Sequence, residues 1–165
     1  MAEQIGVQLP LSSCTKEPEL AISGRLSDDP LQGKVCVWMK PLVVKSWEAD
    51  YLATPPPFER HRQVLFSVKQ HGVDSASIGT VTIPPTGKSD PHSHERSDEF
   101  WIVTKGHGKV VADGNEVEVE PGAIAYAPAK STHQVVNTGK ETLHAYWIIV
   151  PPGPEEAMLK MMEKV

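Results

Sequence analysis

The residues best suited to chemistry lie in the segment 91–99, which reads PHSHERSDE. His92 and His94 alternate, so in a strand both imidazoles would point to the same face of the sheet. Glu99 could return a carboxylate to that face after a short turn, and His133 in a later strand could be a fourth ligand. Three imidazoles and a carboxylate suit divalent Fe, Mn, Ni, Co, Cu or Zn. A pair of histidines flanked by Pro, Glu and Asp also fits a polar surface loop, so on these residues alone both interpretations stay open.

The spacing of these residues resembles two motifs of the cupin superfamily. The first motif, G-x5-H-x-H-x3,4-E-x6-G, is matched by Gly87, His92, His94, Glu99 and Gly106. The second motif, G-x5-P-x-G-x2-H-x3-N, is matched by Gly122, Pro128, His133 and Asn137, and 15 residues separate the two motifs. Two long motifs in this order are a specific signal, and they favour the metal site over the surface loop.

Two positions depart from these motifs. Four residues rather than five separate Gly87 from His92, which shortens the turn at the entry to the site. Lys130 stands where the second motif has a glycine, a residue that often serves a tight turn. We therefore expect either a different turn there or a lysine side chain near the mouth of the cavity. Asn137 is expected to fix a turn rather than to take part in chemistry.

The resemblance implies one divalent metal ion per chain, held by His92, His94, Glu99 and His133. Four protein ligands on an octahedral ion would leave two positions for substrate, water or O₂. The complete ligand set favours an enzyme that acts on a small organic molecule, and we rank a non-haem Fe(II) dioxygenase first. The alternatives are a redox-neutral isomerase, lyase or cyclase that uses the metal as a Lewis acid, and a binding or sensor protein without turnover.

Strand alternation indicates which side chains could line the cavity around these ligands. Trp101 shares the parity of Glu99 and is expected to face inward. His144 or Trp147 could also reach the cavity from the last long strand, but not both, because their separation is odd. The candidate catalytic residues are Glu99, Tyr126 and His144, and packing in the core is the alternative role of the last two.

The elements that must position these residues are strands. The 15 prolines and 12 glycines divide the chain into short runs rich in Val, Ile, Thr and aromatic residues, which is typical of strands joined by turns. The predicted strands are 34–40, 63–70, 76–83, 99–104, 108–112, 116–119, 123–127, 133–137 and 143–150. Asp113, Gly114 and Asn115 predict a hairpin turn.

The expected fold is therefore all-β, and the resemblance makes it a cupin jelly-roll, the double-stranded β-helix barrel. The barrel is assigned to residues 63–151. Residues 1–62 are expected to form an arm and extra strands of the same domain, and residues 152–165 a short C-terminal helix. Pro154 suits the first turn of that helix, and the acidic residues after it favour the positive end of its dipole.

Composition bounds the partners and the compartment. The net charge of −5 and the lack of a Lys/Arg cluster argue against a nucleic-acid partner, because phosphate binding needs a basic patch. No apolar run approaches the roughly 20 residues of a membrane span, and the N-terminus does not resemble a signal peptide. Cys14 and Cys36 are too few for a disulfide framework, so a reducing cytoplasm is expected.

The chain is expected to be a homodimer that binds a small-molecule substrate. Val35, Val37 and Met39 alternate with other large apolar groups, so the predicted strand 34–40 is apolar on both faces. Such a strand needs cover on both sides, and a single small barrel would cover only one. The apolar stripe of residues 158–165 offers a second surface for a partner subunit.

Overall fold

The computed structural model describes residues 41–161 and 163–164, and its description of side chains ends at residue 157. The predicted strand 34–40 lies outside these residues. In the described part of the chain, the elements follow one another with the bounds 3₁₀ helix Ser46–Glu48, β1 Leu52–Thr54, β2 Arg60–Phe66, α1 Val68–His71, β3 Ser77–Ile83, β4 Asp98–Lys105, β5 Gly108–Ala112, β6 Asn115–Val119, β7 Ile124–Ala127, β8 His133–Asn137, β9 Leu143–Val150, α2 Pro154–Met161 and β10 Glu163–Lys164.

The strands form two antiparallel sheets that share one core. The larger sheet has the order β10-β1-β2-β3-β9-β4-β7, and the smaller has the order β6-β5-β8. Alternate residues of facing strands fill the space between the sheets, and β9 shows the pattern clearly: Leu143, Ala145, Trp147 and Ile149 are buried there. The jelly-roll barrel expected from the sequence is confirmed. The expected C-terminal helix is α2, but residues 163–164 form β10, which pairs with β1.

The hairpin between β5 and β6 is also confirmed. Ala112 pairs with Asn115, so Asp113 and Gly114 form a two-residue loop. Both loop residues have positive φ, 47° and 81°, as a type I′ turn requires.

The start of the barrel differs from the expected boundary at residue 63. Strand β2 begins at Arg60, and β1 precedes it in the same sheet. The predicted strand 63–70 ends early, at Phe66, because Ser67 accepts a hydrogen bond from the backbone N–H of Gln70 and caps helix α1. The shift matters for the site, because it adds two residues of β2 to the inner face of the barrel.

Within residues 41–161 and 163–164, no helix has the length and apolar character required to span a bilayer.

The homodimer stays a prediction, since residues 34–40 and the side chains of residues 158–165 lie outside the description. Light scattering at micromolar concentration is expected to give a mass well above the 18.1 kDa of one chain. A mass that stays near that of the monomer as concentration rises would contradict the dimer.

Candidate metal centre

His92, His94, Glu99 and His133 come together inside one end of the barrel. Glu99 lies on β4 and His133 begins β8, whereas His92 and His94 lie in the segment between β3 and β4. That segment is not a regular strand. It is held by an isolated bridge, in which His92 and His133 exchange backbone hydrogen bonds of 3.1 and 2.8 Å. The chain is extended there, so alternation still turns both imidazoles inward, as the sequence predicts for a strand.

The four side chains converge on one carboxylate oxygen. Oε2 of Glu99 lies 2.9 Å from Nε2 of His94, 3.2 Å from Nε2 of His133 and 3.7 Å from Nε2 of His92. All four candidate ligand atoms lie within 4.8 Å of one another. Adjacent ligands on a metal with bonds of about 2.1 Å are roughly 3 Å apart. The spacing of the cluster therefore suits a single ion.

Backbone carbonyls set the direction of two of the imidazoles. Nδ1 of His92 donates to the carbonyl of Asp90, and Nδ1 of His133 donates to the carbonyl of Ser131, both at 3.0 Å. A ring whose Nδ1 carries the proton presents a lone pair at Nε2. Nε2 of both rings is buried and has no hydrogen-bond partner. Buried polar nitrogens without partners are rare, and here they face a carboxylate, so the residues fit a bound metal.

The carboxylate of Glu99 is ionised although only 1% of it is exposed. Burial raises the pKa of Glu99, but the three imidazoles that surround it and the positive charge of Arg62 together hold it well below its ordinary value. A buried anion among nitrogen donors is the electrostatic arrangement that attracts a divalent cation.

Other motif residues fix the turns around the cluster. Lys130 has a φ of 70°, so its backbone takes the left-handed conformation for which the motif usually has glycine. Its side chain is exposed, and its N–H donates to the carbonyl of His94 at 2.7 Å. Asn137 donates to the carbonyls of Ile83 and Glu141, which confirms that it fixes a turn.

A cavity of about 600 Å³ opens beside His92 and His94. The bulk of its wall comes from β1, β2 and the residues around the cluster, with Thr54, Phe58, Arg60, Arg62, Asp90, Ser93, Glu95, Pro154 and Ala157 in contact with it. Arg62, Glu99, Trp101 and Trp147 line a second, smaller cavity. Trp101 faces inward, as its parity with Glu99 predicts, and of the two alternatives on β9 it is Trp147 that lies inside.

Arg60 and Arg62 line the cavity, although the sequence does not single them out. Both are buried, and both contact the cavity. Their spacing of two positions indicates that both side chains lie on the same face of a strand, but the predicted strand begins at residue 63 and so does not include them. Arg60 forms an ion pair of 2.5 Å with Asp90. Burial lowers the pKa of Arg62 to about 10, so its guanidinium stays charged at neutral pH.

The structure places the candidate catalytic residues Tyr126 and His144 away from the cluster, and neither lines the cavity beside it. Tyr126 is 51% exposed and stacks on Phe100, its partner across β4 and β7, while Ala125 and Ala127 face inward. His144 lies on the outer face of β9, where Nδ1 is 2.6 Å from the hydroxyl oxygen of Thr104. Alternation decides both cases, because buried neighbours occupy the inward positions.

His144 is instead expected to affect the pH dependence of stability. Burial lowers the pKa of His144 below its ordinary value of 6.5. Because the unfolded chain then binds the proton more readily, His144 favours folding above pH 6.5, and this contribution is lost as the pH falls through the lowered pKa. His144→Gln should flatten the decline of the urea midpoint between pH 7.5 and 5.5. The exposed His107→Gln is the control; an equal change in both variants would contradict the expectation.

A family model described as "Cupin domain" matches residues 79–149, the part that holds all four candidate ligands. The chain contains a cupin domain. Solved structures agree with this on the level of the fold. This cupin superposes on a predicted oxalate decarboxylase from Thermotoga maritima with a TM-score of 0.61 and 21% identity, covering 67% of this chain and 99% of the other.

Three further proteins are similar to parts of this chain. KdgF from Halomonas sp. superposes on the cupin with a TM-score of 0.60 and 20% identity, over 71% of this chain and 99% of the other. The "Oxalate-binding protein" of Thermotoga maritima is 24% identical over 70 residues, which is 42% of this chain and 58% of the relative. A longer curated relative from Vibrio cholerae is matched over 14% of its length.

Proposed function

We propose that this cupin is a metal-dependent enzyme that converts a small organic molecule in the cavity beside His92 and His94. The observation that carries the proposal is the pair of buried, unpartnered Nε2 atoms, on His92 and His133, that face the ionised carboxylate of Glu99. A protein without a cation at this place would leave these nitrogens unsatisfied at a cost of about 1–3 kcal/mol each.

The side chains of the cluster have separate roles in the proposal. The three histidines and Glu99 would hold one divalent ion, which when bound supplies Lewis acidity and, if it is Fe(II), the means to react with O₂. The carbonyls of Asp90 and Ser131 keep two rings oriented. Trp101 packs against the ring of His133 at 5.3 Å between centroids and keeps water from the inner side.

Among the reaction classes, the walls of the cavity favour the dioxygenase. An isomerase, lyase or cyclase needs a base that moves a proton on the substrate. In the described part of the chain, the groups lining this cavity that could act as a base, apart from the candidate ligands His92 and His94, are Asp90 and Glu95. Asp90 is engaged with Arg60, and Glu95 is exposed at the mouth. An oxygenase does not require such a base from the protein, so the residues that line the cavity favour Fe(II) chemistry with O₂.

A binding protein without turnover is the second candidate. One relative is named an oxalate-binding protein, and it shares 24% of residues with this chain over the matched segment. In a protein of this kind the same cluster and cavity would bind a ligand without converting it.

Metal analysis of protein purified without chelators tests the proposal, together with O₂ uptake after loading with Fe(II). We expect about one divalent ion per chain, and its loss in His94→Ala and His133→Ala. Full metal retention in both variants would refute the ligand assignment. Substrate conversion without O₂ consumption would favour the redox-neutral classes, and tight ligand binding without conversion would favour the binding protein.

A further inference from the structure

Two arginines project from one strand into the cavity. Arg60 and Arg62 stand two positions apart on β2, so both side chains point to the same face. Each is only 5% exposed, whereas His61 between them is exposed on the other face. Arginine on the inner face of a barrel strand is unusual, because that face is ordinarily apolar. Two in succession call for a reason.

The hydrogen-bonding capacity of these arginines is largely unused. Arg60 pairs with Asp90, but its Nη1 is buried without a partner. In the described part of the chain, Nε of Arg62 is likewise buried without a hydrogen-bond partner. Cζ of Arg62 lies 5.5 Å from the centroid of the Trp147 ring. A buried guanidinium without acceptors is costly, unless a ligand supplies them.

The charges around the cavity lead to the same conclusion. The two arginines are balanced by the carboxylates of Asp90 and Glu99. A divalent ion in the cluster would therefore leave two positive charges that these carboxylates do not compensate. Glu95 also lines the cavity, but it is exposed at the mouth, where solvent screens it. The loaded site is thus suited to an anion rather than to a neutral molecule.

We propose that Arg60 and Arg62 form an anion subsite and that the molecule bound in the cavity is a small organic acid. The inference deepens the proposed function and rests on it, since the second positive group is the metal. A planar carboxylate matches the fork of a guanidinium with two parallel hydrogen bonds. The cavity of about 600 Å³ then leaves room for a molecule whose carboxylate lies at the arginines and whose other oxygen atoms lie beside His92 and His94.

A purely structural role for the arginines makes a different prediction. If they served only to pack on Trp147 and to balance Asp90 and Glu99, their removal would alter stability and leave anion binding unchanged. Anion binding must therefore be measured directly, on full-length protein loaded with Mn(II). Oxalate is the probe, its uncharged analogue oxamide controls for shape, and inorganic phosphate tests the other common oxyanion.

Calorimetric titration of Arg62→Met decides between these roles, and Lys69→Met, which removes an exposed cation, is the matched control. We expect the wild type to bind oxalate at least about tenfold more tightly than oxamide or phosphate, and Arg62→Met to lose about tenfold or more. Lys69→Met should bind as the wild type does. Arg62→Lys keeps the charge without the fork and should be intermediate, which makes the result independent of any folding defect in one variant.

The outcomes separate this inference from the proposed function. Equal oxalate affinity in the metal-loaded wild type and Arg62→Met would overturn the subsite, because the metal alone would then hold the probe. Phosphate binding tighter than oxalate, with the same dependence on Arg62, would overturn the carboxylate. Metal analysis of each sample reports on the cluster itself: a wild type that takes up no metal refutes the proposed function, and the inference with it.

Discussion

Glu99→Gln is expected to weaken metal binding by at least about 100-fold. The substitution keeps the shape of the side chain and removes the negative charge at the point where three Nε2 atoms converge at 2.9 to 3.7 Å. It also leaves Arg62 without the carboxylate that faces it. The affinity can be measured by competition with a fluorescent chelator, in metal-free buffers and at fixed pH.

Glu95→Gln is the matched control for that measurement. Glu95 is an exposed carboxylate four positions before Glu99, so its loss changes net charge equally and leaves the cluster intact. We expect its metal affinity to stay within about twofold of the wild type, since exposed charges are screened. Similar losses in both variants would show that the cluster does not hold the ion. Affinity should also fall in acid, where protons compete for the imidazoles.

Gly79→Ala is expected to have the largest effect on stability, a loss of about 3–5 kcal/mol or a failure to fold. A Cβ at this position would lie 1.9 Å from the carbonyl oxygen of Gln63 and 2.2 Å from Cζ2 of Trp147. The first atom belongs to the backbone of the paired strand β2, and the second to a fully buried ring. Neither can move without separating β2 and β9 from β3, the strand between them.

Gly114→Ala separates this steric effect from backbone strain. Gly114 has open space around its Cα but a φ of 81°, so alanine there meets only the cost of the left-handed conformation, about 1–2 kcal/mol. Urea unfolding of both variants gives the comparison. A Gly79→Ala protein that unfolds within about 1 kcal/mol of the wild type would show that β2 and Trp147 can yield.

Much of the fold follows from local pattern. The strands from β3 to β9 are predictable because they are short runs rich in Val, Ile, Thr and aromatic residues that end at or next to a Gly, Pro or Asp turn. The four candidate ligands are predictable because their spacing resembles that of two cupin motifs. The turn at Lys130 is less predictable, because its backbone is left-handed although lysine seldom adopts that conformation.

The walls of the site are less predictable for a physical reason. An arginine such as Arg62 is normally exposed, and only the pairing of β2 with β3 shows that it is buried. Tyr126 misleads in the opposite direction, because an aromatic ring on the outer face of a sheet is stabilised by a cross-strand neighbour, here Phe100, without reaching the core. In both cases the pairing of the strands decides whether the side chain lies on the inner or the outer face of the sheet, and the residue type alone does not indicate that face.

The bridge between His92 and His133 also bears on the kinetics of folding. These residues are 41 positions apart, and β4 to β7 lie between them, so the bridge can close only after most of the barrel has assembled. An ion held by both residues would act as a late cross-link across that closure. It should therefore slow unfolding many-fold in a stopped-flow chevron while leaving the refolding limb almost unchanged. Metal uptake would then set the lifetime of the native state rather than the speed at which it forms.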